Sequence, residues 1–324
     1  MPHHEPATRV AQALLDHEGP IAVVAHVDPD GDALGSVLTL TRALRRLDRD
    51  ARALMPDPPR YLRFLAEEGE LTPPITELPP GTLLAVLDTD LGRAIGAPHE
   101  AAARVVNVDH HGTNPGGADV LWVDAAYASA TMMVADVVDA LGVPWDADLA
   151  TPCLAGLMTD TGHFRFGNTD RRALERAGQL IDAGVAYAEL SDRLQWRHPA
   201  YYGLLARVMS TVRYRLDGRA VLLDLTLAMR ADADADGDDA DDFVQQVRYA
   251  EGTIVAAILK ERPEGVKVSV RSRAGASAQR ICVALGGGGH VAAAGATLTG
   301  LDLAAAEERL LVAIAAELDT VATG

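Results

Sequence analysis

Cysteine is almost absent from the chain: only Cys153 and Cys282 occur among 324 residues, both in apolar stretches. A disulfide framework is excluded, and a reducing cytoplasm is the expected location. Aromatic residues make up only 4%, too few for a platform on which a long single strand would stack. Positive charge is also scarce: 29 basic residues stand against 46 acidic ones, a net charge of −17. Such a field repels long polyanions, and proteins that follow duplex DNA carry a basic face. Long duplex nucleic acid is therefore not an expected partner. A phosphate-bearing substrate should be small and held by a few local cations or by metal. Apolar runs of eighteen or more residues are missing too, which argues against a membrane-spanning helix and a membrane partner. The first eighteen residues lack the apolar core of a signal peptide.

What remains has the composition of an ordinary globular protein, 48% hydrophobic and 23% charged, with a length that suits about two domains. Short apolar runs at 21–25 (IAVVA), 83–87 (LLAVL) and 105–108 (VVNV) read as buried strands. Helical spacing appears at 34–47, 127–141 and 146–157. This alternation predicts βαβ units and a parallel sheet. The stretch 55–80, rich in proline and acids, reads as a surface excursion, and 171–214 as mostly helical. Strand-like runs at 220–227, 253–259 and 266–271, then a helical run at 303–318, mark a second domain. The expected fold class is α/β. An N-terminal domain (1–186) with a mostly parallel sheet flanked by helices is followed by a helical connector (187–212). A smaller C-terminal α/β domain (213–324) completes the chain, with a cleft between the two. The acidic stretch 231–242 reads as a solvated loop or helix lead-in. It lacks the glutamate that closes an EF-hand loop.

Each of the first three apolar runs ends directly in side chains of the metal-binding type. His26, Asp28, Asp30 and Asp32 follow the first, Asp88 and Asp90 the second, and Asp109, His110 and His111 the third. Parallel α/β sheets bind ligands beyond the carboxyl ends of their strands, so these side chains should share one rim. A fourth cluster, Thr159-Asp160-Thr161-Gly162, follows the apolar stretch 153–158. Crowded carboxylates raise one another's pKa, and divalent cations would relieve the repulsion. Mixed imidazole and carboxylate ligands suit Mn, Zn or Fe rather than Ca. A pair of metals is the usual device for in-line phosphoryl chemistry.

In order and spacing these pieces resemble the four motifs of the DHH phosphoesterase superfamily, which includes RecJ-like exonucleases. The matching residues are His26 to Ser36 (HVDPDGDALGS), Asp88 with Arg93 and Gly96, Asp109-His110-His111, and Thr159 to Gly162. Downstream, Ser269 to Ser272, the glycine run 286–289 with His290, and Ala293-Ala294-Gly295 resemble the DHH-associated C-terminal domain. The set is most similar to the branch that degrades very short oligoribonucleotides and dephosphorylates 3′-phosphoadenosine 5′-phosphate. Some relatives cleave cyclic dinucleotides or their linear products. The resemblance implies two Mn2+ ions, with Mg2+ or another divalent ion as substitutes. It implies that His26 and Asp30 hold the first ion, that Asp32, His110 and Asp160 hold the second, and that Asp88 bridges them. Asp109 would orient a histidine rather than ligate, and His111 would face the substrate phosphate. Asp88, Asp109, His110 and His111 would together form the catalytic group. Asn168 resembles a substrate-side asparagine of the family. Exposed helices of the first domain could support a homodimer.

The glycine run has its own physics. Glycines reach backbone conformations closed to other residues and let main-chain N–H groups approach an anion. The run lacks the Lys-Ser/Thr of a nucleoside triphosphate loop. Gly288, Gly289, His290 and Arg271 are expected to hold a terminal phosphate, arginine being suited to bidentate contact. Arg93 reads equally as a phosphate contact or a surface group. Ser36 reads as a helix-start residue, and His3, His4, His17, His99 and His198 as surface groups. The expected activity is two-metal hydrolysis of short oligonucleotides to nucleoside 5′-monophosphates, and of 3′-phosphoadenosine 5′-phosphate to AMP. The rivals are a cyclic di-AMP phosphodiesterase, an inorganic pyrophosphatase and a non-catalytic dinucleotide sensor.

Overall fold

A computed structural model describes residues 5–96, 99–235 and 243–322. His3, His4 and part of the acidic stretch (236–242) lie outside the described residues. The chain divides into two compact units, Met1–Trp196 and Arg197–Gly324.

The first unit begins with α1 (Glu5–Leu15), β1 (Ile21–Val24), α2 (Gly31–Arg45), β2 (Ala51–Leu54), β3 (Leu71–Thr72) and β4 (Leu83–Leu87). It continues through β5 (Arg104–Asp109), β6 (Val120–Val123), α3 (Ala130–Leu141), α4 (Ala147–Asp160), α5 (Arg171–Asp182) and α6 (Tyr187–Gln195). Its sheet has the order β3-β2-β1-β4-β5-β6, and every pairing is parallel. Residues on both faces of β1 and β4 are buried, which is why these strands read as unbroken apolar runs. Alternate residues serve different cores. Ile21, Val23, Leu83, Ala85, Leu87, Val106 and Val108 join the large cluster built with the helices. Ala22, Val24, Leu84, Val86 and Val105 join a smaller one that Ile75, Leu78, Ala94 and Ile95 cover from loops. Helices therefore pack on one face and loop segments on the other. The strand order reverses between β1 and β4, and such a switch point leaves a crevice beyond the carboxyl ends.

Helices α2 and α4 lie unusually close. A Cβ at Gly35 would stand 2.4 Å from the Pro152 carbonyl oxygen and 2.9 Å from Thr131 Cγ2, so only glycine fits there. Pro152 sits inside α4 and cannot donate to the carbonyl one turn earlier. The Asp148 carbonyl accepts instead from Arg42 Nη1 at 2.7 Å. The same guanidinium bonds both Glu70 carboxylate oxygens and the Leu65 carbonyl.

The segment 55–80 is more than a surface excursion. It holds a 3-10 helix, Arg60–Leu65, that buries Leu62 and Leu65, and it supplies β3, which pairs with β2. The prolines that suggest a loop stand between these elements rather than in them. Ser36 is not a helix-start residue either. Asp30 caps α2 by accepting from the Asp32 and Ala33 N–H groups at 3.0 Å, and Ser36 lies fully buried further along the helix.

The second unit contains α7 (Pro199–Met209), β7 (Arg213–Arg215), β8 (Ala220–Leu225), α8 (Leu227–Ala233), α9 (Phe243–Val247) and β9 (Val255–Arg262). It ends with β10 (Gly265–Ser272), α10 (Ala278–Ala284), β11 (Gly288–Gly289), β12 (Ala293–Thr299) and α11 (Leu303–Ala322). The sheet order is β11-β12-β10-β9-β8-β7. Among the described residues of this sheet, only β8 and β9 pair in parallel. Alternating residues feed one core with α10 and α11 and another with α7 and α9. Among the described residues, no helix is long and apolar enough to cross a membrane.

Candidate metal centre

The ends of β1, β4 and β5 deliver their polar residues to one place. Asp88 is at its centre. It is 2% exposed, directly after β4, with a left-handed backbone (φ 57°). That conformation is unfavourable for a residue with a Cβ and tends to occur where function requires it. Asp88 Oδ2 lies 3.5 Å from His26 Nε2, and Asp88 Oδ1 lies 3.3 Å from His110 Nε2. One carboxylate thus faces two histidines, one through each oxygen.

Two sets of candidate ligands join Asp88 to these two histidines. His26, Asp30 and Asp88 offer atoms mutually within 4.8 Å, and so do Asp32, Asp88 and His110. His110 Nε2 also lies 3.6 Å from Asp32 Oδ2 and 3.7 Å from Asp160 Oδ2. Its Nδ1 donates to the Tyr127 carbonyl at 3.3 Å, which turns Nε2 toward the carboxylates and reserves that nitrogen for a cation. Asp32 is held by the start of α3. It accepts from the Ala130 N–H at 2.6 Å, and from the Thr131 N–H and hydroxyl at 2.8 Å. The partial positive charge of a helix N-terminus suits a carboxylate.

The electrostatics show what the cluster requires. Burial, joined by the Asp88 charge, pushes the Asp32 carboxyl up to about 7. Burial also drives Asp160 well above the carboxylate range, with His110 pulling the other way. Burial alone would raise Asp88, but its contacts with His110 and His26 outweigh this and hold it far below the usual value. His26 responds in kind: burial opposes its charge, yet the Asp88 contact and the Asp30 charge raise it to about 9. Burial likewise disfavours a charged His110, but Asp88 and Asp160 push it well above the ordinary histidine value. Carboxylates this crowded are best neutralised by cations. Asp88 Oδ1 is buried without a well-formed hydrogen bond, and the His110 contacts at 3.3–3.7 Å are longer than good charge-assisted bonds. The donor set therefore fits a pair of divalent cations that share Asp88.

Asp109 plays a different part. It is fully buried, and its Oδ1 accepts from His111 Nδ1 at 2.7 Å and from the His111 N–H at 3.1 Å. Burial opposes a charge on His111, but the bond to Asp109 raises its pKa.

Comparison with known proteins places this arrangement. Residues 20–157 match the model of the DHH family N-terminal domain, and residues 222–319 that of the DHHA1 domain. The chain is 51% identical over 310 residues to the bifunctional oligoribonuclease and PAP phosphatase NrnA of Thermus thermophilus. That alignment covers 95% of this chain and 93% of the relative. This chain belongs to the DHH family. A cyclic-di-AMP phosphodiesterase, PdeA of Listeria monocytogenes, is more distantly similar at 26% identity; the match covers 95% of this chain but 49% of PdeA. Among solved structures, an exopolyphosphatase-related protein from Bacteroides fragilis superposes with a TM-score of 0.85 at 20% identity, covering 98% of both chains.

Of the residues singled out from the DHH motifs, the fold gathers His26, Asp30, Asp32, Asp88, Asp109, His110, His111 and Asp160 into this cluster. Arg93 has an exposed side chain, near enough for its charge to lower the pKa of His26. Asn168 binds protein backbone: its amide nitrogen donates to the Ala128 carbonyl at 2.9 Å and to the Asp160 carbonyl at 3.2 Å. Arg271, Gly288 and Gly289 lie in the sheet of the second unit, with His290 just beyond β11. Within the glycine run, Gly288 and Gly289 form the short strand β11, and Gly286 and Gly287 precede it. A Cβ at Gly287 or Gly289 would stand less than 3 Å from the backbone of β12, so close strand approach explains these glycines. The sequence reading missed Tyr127, Asn114 and the α3 N-terminus. Ser129, which caps α3, was the one visible signal for the last.

Proposed function

We propose that the protein hydrolyses very short oligoribonucleotides to nucleoside 5′-monophosphates and 3′-phosphoadenosine 5′-phosphate to AMP, with divalent cations, Mn2+ foremost. As a DHH-family member it is a hydrolytic enzyme, and 51% identity to an oligoribonuclease and PAP phosphatase supports this pair of substrates. The observation that carries the chemistry is Asp88, which presents one oxygen to His26 and the other to His110.

His26 and Asp30 would hold one cation, Asp32, His110 and Asp160 the other, and Asp88 both. When bound, such a pair supplies Lewis-acid stabilisation of phosphoryl oxygens and an activated water at neutral pH. The protein's own groups do the rest. The Tyr127 carbonyl fixes the His110 tautomer. The α3 N-terminus keeps Asp32 in place. Asp109 holds a proton on His111 Nδ1 and favours the charged ring, which suits a substrate phosphate. Arg93, Arg271, Gly288, Gly289 and His290 are assigned to substrate phosphates by their motif positions, and Asn168 to the substrate side on the same ground. The net charge of −17 disfavours long polyanions.

A length series of 5′-labelled oligoribonucleotides with Mn2+, run beside 3′-phosphoadenosine 5′-phosphate and cyclic di-AMP, tests this reading. Rapid turnover of dimers to pentamers and of the phosphoadenosine phosphate supports it. Preference for cyclic di-AMP or for long strands overturns it.

A further inference from the structure

Two amides, Asn107 buried and Asn114 half-buried, link the parts of the metal centre that the motifs leave unconnected. Asn107, in β5, is fully buried. Its Nδ2 donates to the Val86 carbonyl at 3.0 Å and to the Thr89 carbonyl at 2.8 Å. These carbonyls bracket Asp88, so both amide protons clamp the bend that gives Asp88 its left-handed backbone (φ 57°). Asn107 Oδ1 accepts from Asn114 Nδ2 at 2.9 Å. Asn114 Nδ2 also donates to Asp109 Oδ2 at 2.7 Å, which leaves Asp109 Oδ1 to hold His111. Asn114 is fixed in turn: its Oδ1 accepts from the Gly116 N–H at 2.8 Å, and its own N–H donates to the His111 carbonyl at 3.0 Å.

We propose that Asn107 and Asn114 form a positioning relay, coupling the Asp88 bend after β4 to the orientation of His111 after β5. Every amide donor and acceptor of the two side chains is bonded, as a polar network partly shielded from water requires. Neither asparagine ligates or touches a reacting atom; both act through Asp88 and Asp109. An aspartate at position 114 would lose every bond that Nδ2 donates, a longer one to the Thr89 carbonyl at 3.4 Å included, and set two carboxylates face to face.

The role of the relay in turnover rests on the hydrolytic reading above, but one arm of its test does not. In metal-free protein, the His111 Nδ1 proton bonded to Asp109 should give a downfield 1H–15N signal. Asn114→Ala should move or broaden that signal while the His110 signal, set by the Tyr127 carbonyl, stays in place. The second arm uses a dinucleotide with Mn2+ and a double-mutant cycle. Asn114→Ala should lower kcat about 10–100-fold, the usual effect of losing a partner behind a metal site, with KM within about threefold. In an Asp109→Ala background the same change should cost little more, because its route to His111 is already gone. Asn114→Ser, which keeps an acceptor for Gly116, is run through both arms to guard the turn itself. An unmoved His111 signal overturns the proposal, and so do fully multiplicative losses or a wild-type kcat in folded Asn114 variants. Lack of dinucleotide turnover by the unmodified enzyme counts against the hydrolytic reading alone, and the signal then decides the relay.

Discussion

Gly35→Ala offers a sharp test of how the fold sets the metal centre. The added methyl would stand 2.4 Å from the Pro152 carbonyl oxygen, roughly 1 Å inside ordinary van der Waals contact. Backbone carbonyls do not swing aside, so α2 and α4 must separate. The same methyl meets Thr131 Cγ2 at 2.9 Å, and Thr131 is the residue whose N–H and hydroxyl hold Asp32. The displacement is therefore passed to Asp32 on one helix and Asp160 on the other. A shift of about 1 Å in a reacting constellation costs on the order of 10²-fold in rate. Overpacking costs about 1–3 kcal/mol, and the better helix propensity of alanine returns about 1 kcal/mol. Stability should therefore fall by about 1 kcal/mol, or roughly 2–4 °C in Tm for a unit of this size. Gly178→Ala in α5 is the control: no atom lies within 4 Å of its Cβ position, so stability should rise slightly at unchanged kcat/KM. The assay is dinucleotide hydrolysis with Mn2+ beside thermal melting. If Gly35→Ala matches Gly178→Ala in rate and stability, the close helix contact does not position the site.

Asp88→Asn should remove the shared ligand, lower kcat at least about 10²-fold and leave the circular dichroism spectrum unchanged; a retained rate would exclude Asp88 from the centre. Arg42→Ala strands the nearly buried Glu70 and the Asp148 carbonyl, and breaking such a pair should cost about 3–5 kcal/mol at pH 7 in urea melts. Burial would raise the Glu70 pKa, but its bonds from Arg42 and the Glu67 N–H hold it below the ordinary value. The pair therefore stabilises fully above the unfolded glutamate value of about 4.3 and fades as pH falls through the lower folded value. The gap between Arg42→Ala and the unaltered protein should narrow at pH 3, and a constant gap would contradict this. Chelation should stop turnover without unfolding the sheet, since the main core is apolar, and returning Mn2+ should restore the rate; loss of secondary structure on chelation would instead mark a structural metal.

The metal centre was legible in the sequence because three buried strands end abruptly in acids and histidines. In a parallel sheet, strand ends on one rim are also neighbours in space. The resemblance then assigned roles that spacing alone left open. Other features were hidden for physical reasons. Strand β2 is only ARAL, with Arg52 exposed, and its neighbour β3 has two residues, so neither makes an apolar run. Helix α1 had a readable stripe at Ala7, Val10, Ala11 and Leu14, all buried, within a segment read only for its lack of a signal peptide. Asn107, Asn114 and Tyr127 act through bonds to atoms brought near by turns, and no periodicity encodes those. The glycine run answers to packing as well as to conformational freedom: Gly287 and Gly289 lie against β12, a closeness that sequence pattern does not encode.

The most direct test of the account is anomalous diffraction from crystals of the protein grown with Mn2+. Two manganese peaks flanking the Asp88 carboxylate are predicted, one beside His26 and Asp30, the other beside Asp32, His110 and Asp160. Manganese bound elsewhere, or absent from both sides of Asp88, would contradict it.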